Sequence, residues 1–272
     1  MIMLLKNRRF FSSACLLQLL VFIFCSNASA NATNIEIVTE NFPPLQSNDH
    51  GKKSGYVHQT MQEVIKIVNK THPIHVSSYR FLPWKRALNR AVKVPNVLFY
   101  SLSRSPSREE QYQWLGEISI YRKALFKLKE RPFTVSKIKD LKAKELILAV
   151  QNGGSDHIYF SGLGFKSNKY FQTYTSFQQG IKQLFRGRVD LIPLNILTAK
   201  RSTCKLGLDG SQLEMVIPLD DLSKPLWVVL SNGTDPALIS EFKSALKELQ
   251  ENGIAEKYYK ENMELWDKIP CD

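Results

Sequence analysis

The chain has 272 residues, of which 37 are lysine or arginine and 25 are aspartate or glutamate, for a net charge of +12; 43% are hydrophobic and 11% aromatic. This composition excludes wholesale disorder, a collagen-like repeat and a polytopic membrane protein, and the length suits one or two domains that each bury a core. Four cysteines are too few for a disulfide scaffold.

The N-terminus reads as a targeting segment. Lys6, Arg8 and Arg9 form a positive region, Phe10 to Cys25 is mostly apolar, and Ala28-Ser29-Ala30 fits the small-x-small cleavage rule. Residues 1–30 are therefore expected to be a secretory signal peptide cut after Ala30. The alternative is an uncut membrane anchor, but the apolar stretch Ala14–Cys25 is interrupted by Gln18 and is short for a span. Removing the signal takes away three basic and no acidic residues, so the mature charge falls to +9. Cys15 and Cys25 leave with it. Cys204 and Cys271 remain, and in an oxidising compartment they are expected to pair as a disulfide. The five histidines and the cysteines form no HxH, HExxH or CxxC arrangement, so neither a metal nor a cofactor is expected.

The mature chain alternates strand and helix patterns. Ile35–Thr39 is a β-rich run that ends in the Pro43-Pro44 turn. From His58 to Asn69, Met61, Val64, Ile65 and Val68 fall on one helical face. Ile74–Tyr79 is a strand, and Pro83 opens a helix whose face carries Trp84, Ala87, Leu88 and Ala91. Val97–Tyr100 is the next strand. A second alternation begins with the strands Ala124–Lys129 and Leu146–Gln151, and Gly153-Gly154-Ser155 then opens a helix, with Ser155 as its cap. Ser176 caps a helix bearing Phe177, Ile181, Leu184 and Phe185, and Val189–Leu194 is a strand. Leu226–Leu230 is the last strand. Asp235-Pro236 starts a long amphipathic helix with Ile239, Phe242, Leu246 and Leu249 on its face, closed by Gly253. This alternation implies an α/β fold with largely parallel sheets. Two such units without a linker imply crossing strands.

Tyr100-Ser101-Leu102-Ser103-Arg104-Ser105-Pro106-Ser107-Arg108 resembles the ligand-anchoring loop of bacterial family 3 solute-binding proteins, with Ser105 and Arg108 at its hydroxyl and arginine positions. Trp114-Leu115-Gly116, Glu40-Asn41-Phe42-Pro43-Pro44-Leu45, Gly55-Tyr56, Pro83-Trp84-Lys85-Arg86-Ala87-Leu88, Asp140-Leu141-Lys142, Gln151-Asn152-Gly153-Gly154-Ser155 and Gly187-Arg188-Val189-Asp190 match the family in order. Leu249–Tyr259 resembles its last helix. The resemblance implies the two-lobed periplasmic binding protein type 2 fold, with a mostly parallel sheet flanked by helices in each lobe. Lobe one is expected to take residues 31–121 and 227–272, and lobe two residues 122–226. It further implies a periplasmic protein that closes on a small polar, carboxylate-bearing ligand and serves an ABC permease or a membrane sensor. A monomer is expected, with no nucleic-acid partner, because the positive charge is dispersed.

In this reading Arg108 grips a carboxylate with two parallel hydrogen bonds. Ser101, Ser103, Ser105, Gly154 and Ser155 add hydroxyl and amide contacts, and Phe42, Tyr56, Trp84 and Trp114 supply aromatic walls. Arg86 either grips a second anionic group or rides a solvated helix face. Asn195 stands where amino-acid receptors of the family carry an aspartate for the ligand ammonium, unless the register slips and it caps a helix instead. No hydrolytic motif is present, so the protein is not expected to be an enzyme. The alternatives are a dehydratase-like enzyme on the same fold, which needs an acid/base pair in the cleft, and a sensory or scaffold protein without ligand. The exported form is expected to begin at Asn31. N-terminal sequencing of periplasmic material checks this, and a membrane-bound form that starts at Met1 would refute it.

Overall fold

A computed structural model describes residues 32–271; the signal-peptide reading of residues 1–30 lies outside it. The chain begins with β1 (Thr33–Thr39), the hairpin strands β2 (Ser47–Asp49) and β3 (Lys52–Ser54), helix α1 (Tyr56–Thr71), β4 (Ile74–Phe81), α2 (Trp84–Lys93), β5 (Val97–Ser103) and β6 (Tyr112–Ser119). It continues with β7 (Lys123–Leu128), α3 (Ile138–Ala143), β8 (Leu148–Gln151), α4 (Ser155–Gly162), β9 (Phe171–Tyr174), α5 (Phe177–Phe185), β10 (Ile192–Asn195), α6 (Ala199–Cys204) and β11 (Leu213–Pro218). It ends with β12 (Leu226–Ser231), α7 (Pro236–Glu251) and α8 (Ile254–Asp267).

Two sheets organise these elements. The first has the order β4-β1-β5-β12-β6. β1 runs parallel to β4 and β5, while β12 is antiparallel to both β5 and β6. In the second, β9 is parallel to β8, and β7 is antiparallel to β10 and β11. A parallel bridge from Leu148 to Leu191, with Ala149 N–H donating to the Leu191 carbonyl at 2.8 Å, joins β8 to the β10 side. The second sheet therefore reads β9-β8-β10-β7-β11. Each sheet has four mutually parallel strands and one reversed strand, and each reversed strand is the one on which the chain arrives from the other sheet. The expected α/β class with mostly parallel sheets is what the chain forms.

Burial follows the sequence pattern. Met61, Val64 and Val68 of α1 pack toward Ile35, Ile37, Leu98 and Tyr100, and Trp84, Ala87 and Ala91 of α2 cover the opposite face against Val38, Phe99 and Val229. In the second lobe, Leu125, Leu148, Val150, Phe160 and Phe171 form a cluster of their own. Five strands escaped the pattern: the short hairpin strands β2 and β3, and β6, β9 and β11. β6, β9 and β11 mix polar residues into short or edge positions, where one-sided burial leaves little signal. Gly116 in β6 lets α7 approach, since a Cβ there would lie 2.8 Å from Leu246 Cδ2.

Two helix expectations need correction. Leu249–Tyr259 is not one helix: Gly253 adopts φ 75° and separates α7 from α8. A left-handed residue ends one helix while freeing the chain to start the next. Ser155 is not a cap either. The cap position is Gly154, and the turn is closed by Asp156, whose Oδ2 accepts from Gln151 N–H at 3.0 Å. The caps Ser176 and Asp235 do accept from the N–H groups of Gln179 and Ala237.

Cys204 and Cys271 are joined, with Cα atoms 5.0 Å apart and 67 residues of separation. Closing a loop of that length in the unfolded chain is worth about 4 kcal/mol on the chain-entropy account. The double Cys204→Ser/Cys271→Ser variant should lose stability of that order in chemical denaturation. The unreduced, unfolded protein without residues 1–30 should show no free thiol on labelling.

Candidate functional site

The carboxyl ends of parallel strands from both sheets meet. β1 delivers Glu40, β5 delivers Ser103 and the turn that carries Arg108, β8 delivers Gln151 and the Gly153-Gly154 loop, and β10 ends at Asn195. This is where open α/β sheets bind ligands.

Arg108 sits in the short 3₁₀ helix Pro106–Gln111 and is only 4% exposed. Its Nη1 donates to the Ser103 carbonyl at 2.9 Å, and its Nη2 donates across the lobes to the Gly153 carbonyl at 2.8 Å. Trp84 Nε1 donates to the same carbonyl at 3.1 Å. Burial lowers the Arg108 pKa from its ordinary value, because the charged form has lost water. Gly153 has φ 75°, a conformation that glycine adopts without strain, and this exposes its carbonyl to both donors. The neighbouring Arg104, not Arg108, takes the carboxylate of Glu109, with Nε to Oε2 at 2.9 Å, and lies over the rings of Trp114 and Trp227.

A second cation was not singled out from the sequence. Lys123, the first residue of β7, is 6% exposed, and its Nζ lies 3.1 Å from Ser155 Oγ and 3.4 Å from Asp156 Oδ1. In the sheet Lys123 is paired directly with Asn195, so the two side chains share a face. Asn195 is 2% exposed, and its Oδ1 accepts from Leu197 N–H at 3.0 Å. A lysine opening a strand pattern looks like a solvent-facing residue. The signal that would have found Lys123 is its register against Asn195, which sequence periodicity does not supply.

Glu40 completes the cluster. Its Oε2 accepts from Gln151 Nε2 across the lobes at 2.6 Å. Burial pushes its pKa up to about 8; the Gln151 hydrogen bond and the Lys123 charge oppose that rise, and Asp156 adds to it. Apolar contact between the lobes comes from Phe42, whose ring meets Tyr121 at 5.7 Å and Phe177 at 5.5 Å between centroids.

Ser101 is buried with φ 66°, a strained conformation for a residue with a side chain, and its Oγ donates to Gln46 Oε1 at 2.8 Å. The Gln46 amide nitrogen is buried without a partner among the described residues. Ser105 turns its hydroxyl to Ser107 at 3.1 Å, and Ser103 contributes its carbonyl. Gly154 is buried in the loop that precedes α4. Tyr56 hydrogen-bonds Ser119 and packs edge-on against Tyr259 of α8, both on the lobe-one side, so it stands apart from Arg108 and Lys123. Trp114 packs on Trp227 rather than on the second lobe. Lys85 and Arg86 line a depression of about 350 Å³ with Asn152 and Thr175 at the lobe boundary.

No family model and no curated protein sequence matches the chain. Solved structures do. A histidine kinase sensor domain with similarity to periplasmic binding proteins superposes with a TM-score of 0.71 at 18% identity, over 85% of this chain and 96% of that one. The fold is that of the periplasmic binding proteins. The arginine-, lysine-, histidine-binding protein ArtJ of Geobacillus stearothermophilus gives a TM-score of 0.69 at 16% identity, over 88% of this chain and 97% of that one. An ancestral amino acid-binding protein, a precursor of cyclohexadienyl dehydratase, gives 0.67 at 15% identity, over 85% and 95%. In this periplasmic-binding fold, Arg108, Lys123, Glu40, Asp156 and Asn195 lie between the two lobes.

The buried Glu40 carboxyl has a testable linkage. Its pKa rises from 4.5 to about 8 on folding, so the folded state holds its proton more tightly. This contribution is fully present below pH 4.5 and is lost as pH rises toward 8, at up to about 1.4 kcal/mol per pH unit. Glu40→Gln should therefore gain on the parent across that window in urea melts. A constant difference from pH 4 to 8 would show that Glu40 is solvated.

Proposed function

We propose that this protein captures a small organic acid between its lobes and presents it to a membrane partner, either an ABC permease or a sensor. The observation that carries this reading is the pair of desolvated cations: Arg108, in the turn past the carboxyl end of β5, and Lys123, at the start of the reversed strand β7 beside Asn195 at the carboxyl end of β10. Among the described residues one carboxylate, Asp156, pairs with Lys123, and none pairs with Arg108. Glu40, with its raised pKa, is mostly protonated at neutral pH. The cluster is therefore net positive, and it suits an anion that exchanges for the Gly153 carbonyl at Arg108 when the lobes open. Arginine, lysine and histidine, named as ligands of one structural neighbour, fit poorly beside a buried ammonium. Asn195 supports the same choice. An aspartate there would face Lys123 in the sheet and pair with it before pairing with a ligand.

The test is a thermal-shift screen of the mature protein with carboxylic acids, their amides and the matching α-amino acids. A ligand at 100 times its Kd adds about 2.7 kcal/mol of stability. Acids are expected to stabilise the protein, and amides and cationic amino acids are not. Arg108→Ala should then cost on the order of 2–5 kcal/mol in acid binding, and Arg108→Lys should also weaken it, because an ammonium lacks the planar fork. Equal losses for an acid and its amide would reduce Arg108 to a latch between the lobes. Admission of α-amino acids should require Lys123→Met together with Asn195→Asp.

One observation favours a second reading. Glu40 is a carboxyl whose pKa is raised to about 8 in a buried cluster with Lys123, the kind of acid that a lyase on this fold would use. Binding without chemistry predicts that the ligand is recovered unchanged after prolonged incubation. Conversion by the parent and not by Glu40→Gln would make the protein an enzyme.

A further inference from the structure

The C-terminal part of the chain packs on lobe one but ends on lobe two. α7 lies on β6 and α1, and α8 lies on α1 and α7. Beyond α8 the chain leaves this surface. Cys271 is bonded to Cys204 at the end of α6, an element that hangs from the carboxyl end of β10 in the second sheet. Arg201 of α6 donates to the Ile269 carbonyl. Lys205 lies 5.8 Å from the ring centroid of the buried Trp266 and 2.9 Å from Asp49 in the β2–β3 hairpin of lobe one.

We propose that the Cys204–Cys271 disulfide is a third link between the lobes, a strap that limits how far the cleft opens and makes that opening sensitive to thiol redox state. The main chain crosses between the sheets twice, after Ser119 and after Pro218. Two crossings define an axis and leave rotation about it free. A covalent link elsewhere confines that rotation to the range the tail allows. α6 begins four residues after Asn195, so a movement of the site-forming end of sheet two carries Cys204 with it. The non-covalent contacts beside the strap do not replace it. The Lys205–Asp49 pair is 36% and 51% exposed, and exposed pairs of this kind add little. Releasing the strap is a two-electron reduction. The S–S bond breaks, a dithiol reductant supplies two electrons and two protons, and the reductant closes to its own disulfide.

The inference rests on the reading that the lobes open about the two crossings, and small-angle X-ray scattering separates the two ideas. The samples are the ligand-free mature protein as the oxidised parent, the same protein reduced with dithiothreitol, and Cys204→Ser/Cys271→Ser, each with far-UV circular dichroism to confirm the fold. A larger radius of gyration is expected for the reduced parent and the variant than for the oxidised parent, with reoxidation reversing the change in the parent alone. Equal radii that all exceed the value for the closed structure would overturn the strap and keep the opening. Equal radii that match the closed structure would overturn both. If the serine variant does not fold, the reversibly reduced parent decides the outcome.

Discussion

A guanidinium removed from water needs acceptors, and Arg108 finds one of its two across the gap between the lobes. The Gly153 carbonyl accepts from Arg108 and from Trp84, and both donors belong to lobe one. Hydrogen bonds to a charged donor contribute about 1.5–3 kcal/mol, enough to hold two lobes together and small enough for a ligand to replace. The Gln151–Glu40 contact has the same character. Phe42 against Tyr121 and Phe177 is the aromatic contact beside this polar set. Polar contacts that a ligand can replace suit domain motion more than permanent closure.

Three other arginines of lobe one, Arg80, Arg90 and Arg104, show how positive charge is held within the fold. Arg80 and Arg90 both pair with the buried Glu36, whose pKa is lowered by their hydrogen bonds against the opposing effect of burial. Arg104 is held by Glu109 and by two indole rings. Each of these three is paired with a carboxylate, whereas Arg108 is buried without one among the described residues. That difference in partnering marks the candidate site more clearly than net charge does.

The parts legible in the sequence were those with a local signature. Apolar periodicity placed β1, α1, β4, α2, β5, α5 and α7, and the turn after β5 pointed to Arg108 because its spacing resembles a known loop. Lys123 and Asp156 carry no local signature. Each is an ordinary polar residue until the antiparallel pairing of β7 with β10 and the approach of the two lobes bring it to the cluster. The helix start at Gly154 is ambiguous in sequence for a related reason: Ser155 and Asp156 are both good capping residues, and three-dimensional context decides between them. Tyr56 and Trp114 lie near motifs that match the family, but both are committed to packing within lobe one.

β12 lies between β5 and β6 in the first sheet, yet it is separated from both by the whole of the second lobe. Sheet two is contiguous in the chain, from Lys123 to Pro218. As the polypeptide is made or exported from its N-terminus, sheet two has every strand available while sheet one still lacks its penultimate strand, with the facing edges of β5 and β6 unpaired. The lobe that begins the chain is therefore the last to be completed, and until residues 226–231 arrive it presents two strand edges to any other chain nearby.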